Sequence, residues 1–514
     1  MSSPLPEASV WSMTGTSVLL ALYYLILAVL AFYGVHRLAL VILYLRTRGN
    51  RPAKPADPAE WPIVTVQLPL YNEMYVAERL IEAVCGLDYP KDRLEIQVLD
   101  DSTDETTKIV ADLVATKRRA GFDIHHLHRS DRTGFKAGAL KAGLLQARGD
   151  LLAIFDADFV PQSSFLKTAI PYFADPGLGM VQGSWAHINR AYSLLTRAEA
   201  ILLDGHFWIE HTARNRSGCF FNFNGTAGVW RRAAIESAGG WEHDTLTEDL
   251  DLSYRAQLKG WRFLYLPELA VPSELPVDIN GFKSQQYRWA KGSVQTGRKL
   301  LGRLLASDLP WKVKFEAFVH LTNNSSYLLT VFVALLIFPA MILRRGSSWS
   351  ALLLIDLPLF LGATLSVLFF YFMSQVASGR GWVKGLRHLP AVTAIGIGLS
   401  VNNARAVISG LLYRGGTFHR TPKYKIEQRG QDWLSKRYRS VSDPTCFLEG
   451  LLALYFAACC VYAFSRGMWM SLPFLYLFVQ GYAYMFLLSV FPVLSRGTSR
   501  PAGDPAPIQP QPQG

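Results

Sequence analysis

The stretch "LTEDLDLSYR" (Leu246 to Arg255) crowds Glu248, Asp249 and Asp251 together in a chain that is otherwise half hydrophobic. A carboxylate held there could act as a general base; a solvated acidic helix face would read the same. Other candidates lie upstream. "QVLDD" ends in Asp100 and Asp101, and "AIFDADF" supplies Asp156 and Asp158, each pair closing a β-rich run. In open α/β sheets, ligands gather beyond the carboxyl ends of the strands. A D-x-D turn offers hard oxygen ligands to Mg²⁺ or Mn²⁺, which typically also engage substrate phosphates. "TGFKAGAL" sets Lys136 among glycines, either to meet nucleotide phosphates or as an exposed lysine. In "FNFNGTAGVWR", Gly225 and Thr226 would let a sugar approach the backbone closely, or simply form a turn. "QQYRWAKG" supplies Gln285, Arg288 and Trp289. Trp is a platform for a sugar ring and Arg a partner for a diphosphate. An interfacial helix with Trp at headgroup level accounts for the same residues.

The elements that must position these groups belong to two kinds of sequence. Of 514 residues, 50% are hydrophobic and only 18% charged, with a formal net charge of +12. That balance implies a membrane protein with a sizeable soluble part. The excess charge fits nucleic acid, anionic lipid or a phosphate-rich substrate. No nucleic-acid motif or compact basic run supports the first. Instead Arg46, Arg48, Arg51 and Lys54, then Arg298, Lys299, Arg303, Lys312 and Lys314, then the region 414–439, crowd beside apolar segments, the positive-inside pattern. The five cysteines have no CxxC spacing and imply neither a disulfide framework nor a zinc site.

Ser17 to Leu45 is long enough to cross a hydrocarbon core of ~30 Å and reads as an anchor with its N-terminus outside. From about residue 60 to 275, short β-rich runs alternate with helical stretches, which predicts α/β layering on a largely parallel sheet. Ser102 and Glu105 form a capping-box pattern ahead of "TTKIVADLVATKRR". Further apolar spans fall near 322–343, 350–374, 445–464 and 470–493. The region 390–413 carries Asn402, Asn403 and Arg405 between basic loops, so it is expected as an interfacial or re-entrant helix, leaving five crossings. Arg344 and Arg345 fall on the predicted outer side, against that topology.

In order, these motifs resemble a processive family 2 glycosyltransferase of the cellulose synthase superfamily. The first Asp motif is Asp101 with Asp100, DxD is Asp156–Asp158, TED is Thr247–Glu248–Asp249, and QxxRW runs from Gln285 to Trp289. "VQLPLYNE", "QVLDDSTDET", "GFKAGAL", "FNGTAG" and "GGWEHDTLTEDLDL" are similar to the cellulose-synthase-like A branch (glucomannan 4-beta-mannosyltransferase) and its bacterial relatives, a branch associated with β-1,4-mannan and glucomannan synthesis. The resemblance implies an α/β GT-A, Rossmann-like nucleotide-sugar domain joined to an α-helical transmembrane bundle. The expected organisation is an anchor over 1–50, a cytosolic catalytic domain over 51–310, transmembrane helices over 311–376, an interfacial helix and gating-like loop over 377–443, transmembrane helices over 444–494, and a disordered Pro-rich tail over 495–514.

The same resemblance assigns roles. Asp100, Asp101, Lys136, Asp156, Gln285 and Arg288 would bind the nucleotide sugar, and Asp156 and Asp158 the Mg²⁺ or Mn²⁺. Asp249 would be the general base, with Glu248 and Trp289 at the acceptor. "TFHRTPK" fits the gating loop of cellulose synthases through Phe418, Thr421 and Lys423, with Arg420 where that motif has valine; a plain basic juxtamembrane loop is the other reading. Phe159 follows DxD where bacterial cellulose synthases often have a metal-binding His. The expected activity is an inverting, metal-dependent, processive transfer of hexose from GDP-mannose or UDP-glucose to a growing β-linked, β-1,4 glycan, with export across the membrane. Two alternatives stay open: non-processive transfer to a lipid acceptor, and a transporter or receptor with a degenerate nucleotide-sugar domain. Expected partners are the donor, the glycan acceptor, membrane lipids and accessory secretion subunits, with no nucleic acid. Expected location is the inner or plasma membrane, or a Golgi membrane in a eukaryote, with the catalytic domain cytosolic.

Overall fold

The computed structural model describes residues 7–344, 352–416, 418, 420–440 and 443–496. Arg345 and most of the expected Pro-rich tail lie outside them. The catalytic half is one seven-stranded sheet in the order β3-β2-β1-β4-β6-β5-β7. Its strands are β1 (Val64–Leu70), β2 (Leu94–Asp100), β3 (Asp123–His128), β4 (Leu151–Ile154), β5 (Leu178–His187), β6 (Gly228–Arg231) and β7 (Arg262–Ser273). The pairs β1·β2, β2·β3, β1·β4 and β5·β7 are parallel; β6 alone runs antiparallel to its neighbours β4 and β5. The expected largely parallel sheet therefore holds except for one reversed strand, β6. β1 and β2 lie inside the sheet with both faces covered, and the polar residues that alternate in "VTVQL" and "EIQVL" are buried because they pair across the strands: Thr65 Oγ1 donates to Glu95 Oε2 at 2.5 Å and Gln67 Nε2 to Gln97 Oε1 at 3.0 Å.

The helices between residues 7 and 322 are α1 (Glu7–Thr47), α2 (Ala77–Cys85), α3 (Thr106–Arg119), α4 (Phe135–Gln146), α5 (Phe165–Ala169), α6 (Leu194–Asp204), α7 (Thr212–Arg216), α8 (Arg232–Ser237), α9 (Glu248–Leu258), α10 (Ile279–Leu305) and α11 (Trp311–Thr322). α2 turns Leu80, Ile81 and Val84 onto one sheet face; Leu140 and Leu144 of α4 and Trp230 of β6 pack on the other. The capping box expected at Ser102 does not form. α3 starts at Thr106, whose N–H donates to Asp104 Oδ1 at 2.9 Å, while Glu105 swings out to pair with Arg437. Asp104 sits two residues before the first helical N–H and captures it locally, so Ser102 is free to accept from Asn72 N at 2.8 Å.

Between α6 and α7, Gly205–His211 winds as a π-helix. Residues five apart lie about 140° apart around an α-helix; the wider turn instead brings His206 and His211 together, ring centroids 4.1 Å apart.

Five helices among the described residues are long and apolar enough to cross a membrane: Ser17–Thr47, Ser325–Leu343, Leu354–Ala377, Thr445–Ser465 and Trp469–Val490. They overlap the five apolar spans of the sequence. Gly385–Gly398 and Ser400–Leu412 form a pair bent by 41°, a broken span or a re-entrant loop. Asn402 and Asn403 are buried there, with Asn402 Nδ2 donating to Lys283 O at 3.0 Å. Arg405 pairs with Asp443 at 3.2 Å. Arg344 pairs with Asp356 and lies over Tyr24, so the charge that counted against an outer location is neutralised by its own partner.

Candidate active site

A cleft of about 210 Å³ opens at the carboxyl ends of β1 and β4, where the sheet leaves room between successive loops. The residues around it come from separate segments spread between Pro69 and Lys423, and several of these segments hold unusual backbone. Asn72, Phe135 and Ala227 are non-glycine residues with φ of 53°, 49° and 56°. Such conformations are sparsely populated and concentrate where a loop must present groups to a ligand.

Asp156 and Asp158 follow β4 directly. Thr226 Oγ1 accepts from Asp156 N at 2.9 Å, tying this turn to the "FNGTAG" loop. Lys136, in the first turn of α4, bonds the Asp156 carboxylate and also donates to Gly225 O at 2.8 Å. Lys423 donates to Asp158 Oδ2 at 2.9 Å and to Glu274 O at 2.7 Å. Each DxD carboxylate is thus met by one ammonium. Asp156 keeps 33% of its side-chain surface open, but to an enclosed cleft. Burial raises its pKa, with Lys136 opposing. Lys136 itself is pulled down by burial and pushed up more strongly by Asp156, Glu248 and Asp249, for a net rise.

The acidic stretch at the start of α9 divides by direction. Glu248 and Asp249 line the cleft. Asp251 is fully buried on another side of the helix, paired with Arg255 at 2.8 Å and Lys299 at 3.0 Å. Successive helical residues differ by about 100° in direction, so neighbours in sequence need not share a role. Burial, then the adjacent Glu248 carboxylate, raises the Asp249 pKa. Gly225 explains how close the opposing loop comes. Its φ is +79°, and a Cβ there would lie 3.2 Å from Asp249 Oδ2 and 3.3 Å from Lys136 Nζ. Only glycine serves both the conformation and the contact.

On α10, Gln285, Arg288 and Trp289 line the cleft. Arg288 donates to Thr421 Oγ1 at 3.2 Å and lies 4.8 Å from the Phe418 ring centre. Burial lowers its pKa to about 10 against the pull of Glu248 and Asp156. Trp289 faces Trp185, centroids 6.4 Å apart. The segment expected as a gating loop borders the cleft: Phe418 meets Phe135 at 5.8 Å, and Phe418, Thr421 and Lys423 line it.

The two carboxylates of "DD" separate. Asp101 lines the cleft and is gripped by Arg129 through both oxygens, at 2.8 and 2.6 Å. Asp100, expected beside it at the nucleotide, is not brought there. As the last residue of β2 it points to the opposite side, completely buried against His126 and His128. Alternation along a strand puts adjacent side chains on opposite faces, which is the reason the pair cannot act together.

Three cleft groups went unread in the sequence. Glu73 pairs with Arg420 at 2.8 Å, and burial lifts its pKa to about 7 although Arg420 pulls the other way. Arg132 stacks 3.2 Å over Tyr71. Asn224, beside Gly225, is held from behind: its Oδ1 lies 2.7 Å from His211 Nε2 and its Nδ2 2.9 Å from His206 Nε2. Glu73 and Asn224 lie inside stretches that carry the resemblance, "VQLPLYNE" and "FNGTAG", and Arg420 shows as the departure from valine in an otherwise matching loop; Arg132 leaves no local signal.

From this histidine pair a second polar cluster runs toward the membrane helices. His206 meets Glu210 at 3.2 Å, Glu210 meets Arg214 at 3.3 Å and Arg37 of α1 at 3.5 Å, Arg214 meets Glu316 at 2.8 Å, and Glu316 meets His36 of α1 at 2.8 Å.

Residues 62–292 match the model of a family described as glycosyltransferase like family 2. Glucomannan 4-beta-mannosyltransferase 7 of Arabidopsis thaliana is 32% identical over 494 residues, spanning 90% of this chain and 85% of the relative. Glucomannan 4-beta-mannosyltransferase 2 of the same plant is 44% identical over 262 residues, spanning 50% of this chain and 48% of the relative. Among solved structures, a mannosyltransferase from Pyrobaculum calidifontis in complex with GDP-Man and Mn²⁺ superimposes with a TM-score of 0.49 at 22% identity, covering 77% of this chain and 99% of that one.

Proposed function

The chain belongs to the cellulose-synthase-like A branch of the family 2 glycosyltransferases, and we propose that it polymerises a hexose, mannose foremost, from a nucleotide sugar into a β-1,4-linked glycan that leaves through its membrane helices. The observation that carries this reading is the meeting, in one cleft, of Asp156, Asp158, Lys136, Asp249, Arg288 and Trp289 from separate segments of the chain. Degenerate domains have no reason to keep all of them together. The names of the relatives favour GDP-mannose as donor and a mannan or glucomannan as product.

Asp249 takes the proton from the acceptor hydroxyl as that oxygen attacks the anomeric carbon from the face opposite the leaving diphosphate, inverting the centre. Its raised pKa suits a base that works near neutrality. Lys136 and Arg288 hold the diphosphate, Asp101 and Arg129 stand where the base would lie, and Trp289 supports the terminal sugar. The DxD pair fits a divalent cation: it presents two carboxylates, and in this structure two ammonium groups supply the two positive charges such an ion would bring. When bound, Mg²⁺ or Mn²⁺ would neutralise charge developing on the departing diphosphate. Phe418, Thr421 and Lys423 close over the donor. In the membrane, the N-terminus lies outside and the catalytic domain faces the cytosol, following the basic residues that flank the spans.

Membranes carrying the protein are given labelled GDP-mannose or UDP-glucose with Mg²⁺ or Mn²⁺. The expected product is a polymer degraded by endo-β-1,4-mannanase and absent with Asp249→Asn. Label recovered only as a short organic-soluble glycolipid would replace the processive reading with transfer to a lipid.

A further inference from the structure

Asp100 is a completely buried carboxylate that the proposed reaction does not use, and two imidazoles converge on one of its oxygens. His126 Nε2 lies 2.9 Å and His128 Nδ1 3.3 Å from Asp100 Oδ2. The strands explain the convergence. In the parallel pair β2·β3, Val98 stands opposite His126 and Asp100 opposite His128. Side chains two apart share a face, so all three groups project from one side of the sheet. The other carboxylate oxygen is already taken, accepting from Ser102 N at 2.9 Å, which fixes the orientation of the group.

We propose that Asp100, His126 and His128 form a binding site for a transition-metal ion of the zinc class, separate from the DxD pair. Zinc takes imidazole nitrogen and carboxylate oxygen at about 2.0–2.2 Å, and tetrahedral geometry then spaces its ligands about 3.3 Å apart. The two distances here fall at and just below that spacing, and the three ligand atoms all lie within 4.8 Å of one another. Two imidazoles with one carboxylate suit zinc, nickel or cobalt better than Mg²⁺, which prefers oxygen. His126 is 17% and His128 40% exposed at the side chain, giving an entry path and room for a water as fourth ligand. Ser102 N supplies the outer hydrogen bond that ligating carboxylates commonly have. A bound ion would pin the end of β2 to the end of edge strand β3. Asp101 and Arg129, one residue beyond Asp100 and His128, grip each other across the same junction. The ion would thus brace the side of the cleft where the base is expected without touching the reacting atoms.

The detergent-solubilised full chain is stripped with chelator, dialysed against Zn²⁺, freed of excess, and assayed for metal per chain. About one Zn²⁺ per chain is expected, both in the native protein and in the Asp156→Asn/Asp158→Asn variant, whose DxD pair is disabled. In His126→Asn/His128→Asn, retention falls at least tenfold, while the amides still donate to Asp100 and preserve the fold. Zn²⁺ should also raise the melting temperature of the native chain and leave that of the double-histidine variant unchanged. Cobalt substitution gives an independent visible spectrum. The proposal is overturned by a native chain that retains no zinc after dialysis, by equal retention in the double-histidine variant, or by loss of the ion with the DxD pair alone.

Discussion

Two regions of this molecule bury several carboxylates each, and they treat them oppositely. In the cleft, burial wins: Asp249, Asp156 and Glu73 all have raised pKa values despite nearby Lys136 and Arg420. At the junction between the catalytic domain and α1, partners win. Burial would raise Glu316, yet His36 and Arg214 bring it to about 2, and Arg214 and His206 hold Glu210 well below its ordinary range. The difference is one of completion. Arg214 is wholly enclosed between two carboxylates, so the junction satisfies its own charges. In the cleft the nearby cations do not reverse the effect of burial on Asp249, Asp156 and Glu73. Under the proposed function, the raised carboxylates belong to the chemistry and the lowered ones to the architecture.

Substitution should separate the two regions most sharply. Asp249→Asn is expected to cut polymer formation by ~10²–10⁴-fold, with the melting temperature unchanged or raised because a neutral amide is easier to bury. Arg214→Met should do the reverse. Stranding two buried carboxylates costs about 3–5 kcal/mol, read as a lower denaturation midpoint, while turnover per folded molecule stays within about twofold. Were Arg214→Met to abolish turnover at unchanged stability, the division would collapse.

Acid titration sharpens the same contrast. As the proposed base, Asp249 works deprotonated, and its folded pKa is raised, so turnover should fall as pH drops through a value well above the ordinary ~3.9 of aspartate. Glu316 has a lowered folded pKa, so its stabilisation is complete above its unfolded value and is lost only as pH falls toward about 2. Activity should therefore vanish at a pH where circular dichroism still reports a folded protein. Asp249 has the opposite linkage: the native state holds its proton more tightly, so it lowers stability as pH rises from its unfolded to its folded pKa. Asp249→Asn should remove that slope.

The smallest effect concerns the loop proposed to close over the donor. Arg420→Val restores the valine of the cellulose synthase motif and releases Glu73. Losing one ion pair beside the cleft, worth about 1 kcal/mol, should raise the KM for donor roughly fivefold with little change in kcat. A change in kcat alone would move Arg420 from the loop's closure to the reaction itself.

The motifs were legible because each is short: DxD, TED and QxxRW carry their spacing within a few residues, and β-rich runs before them located the strand ends. Around TED the sequence does not assign directions, and Asp251, two residues beyond it, pairs with Arg255 and Lys299 rather than lining the cleft. Asp100 was misread because adjacency in "DD" suggested a shared task that strand alternation forbids. Contacts between distant segments left no local trace. Lys423 reaches Asp158 across 265 residues, and Arg214 reaches Glu316 across 102. The single reversed strand, β6, was equally silent, since its four residues read like any other short buried strand.

The π-helix at Gly205–His211 has a consequence for how this chain can change length. His206 and His211 clasp Asn224 at the cleft, and three residues later Arg214 must face Glu316. The first alignment depends on that wide turn, the second on the helical phase around it. A π-turn holds one residue more than the α-turn it replaces, so deleting one residue inside Gly205–His211 would return the helix to its ordinary period and leave the flanking segments in phase. A deletion in the α-helical turn that follows would instead rotate what comes after it by about 100° and turn Arg214 away from Glu316. The wide turn is thus where this helix can shorten by one residue and still hold the membrane junction.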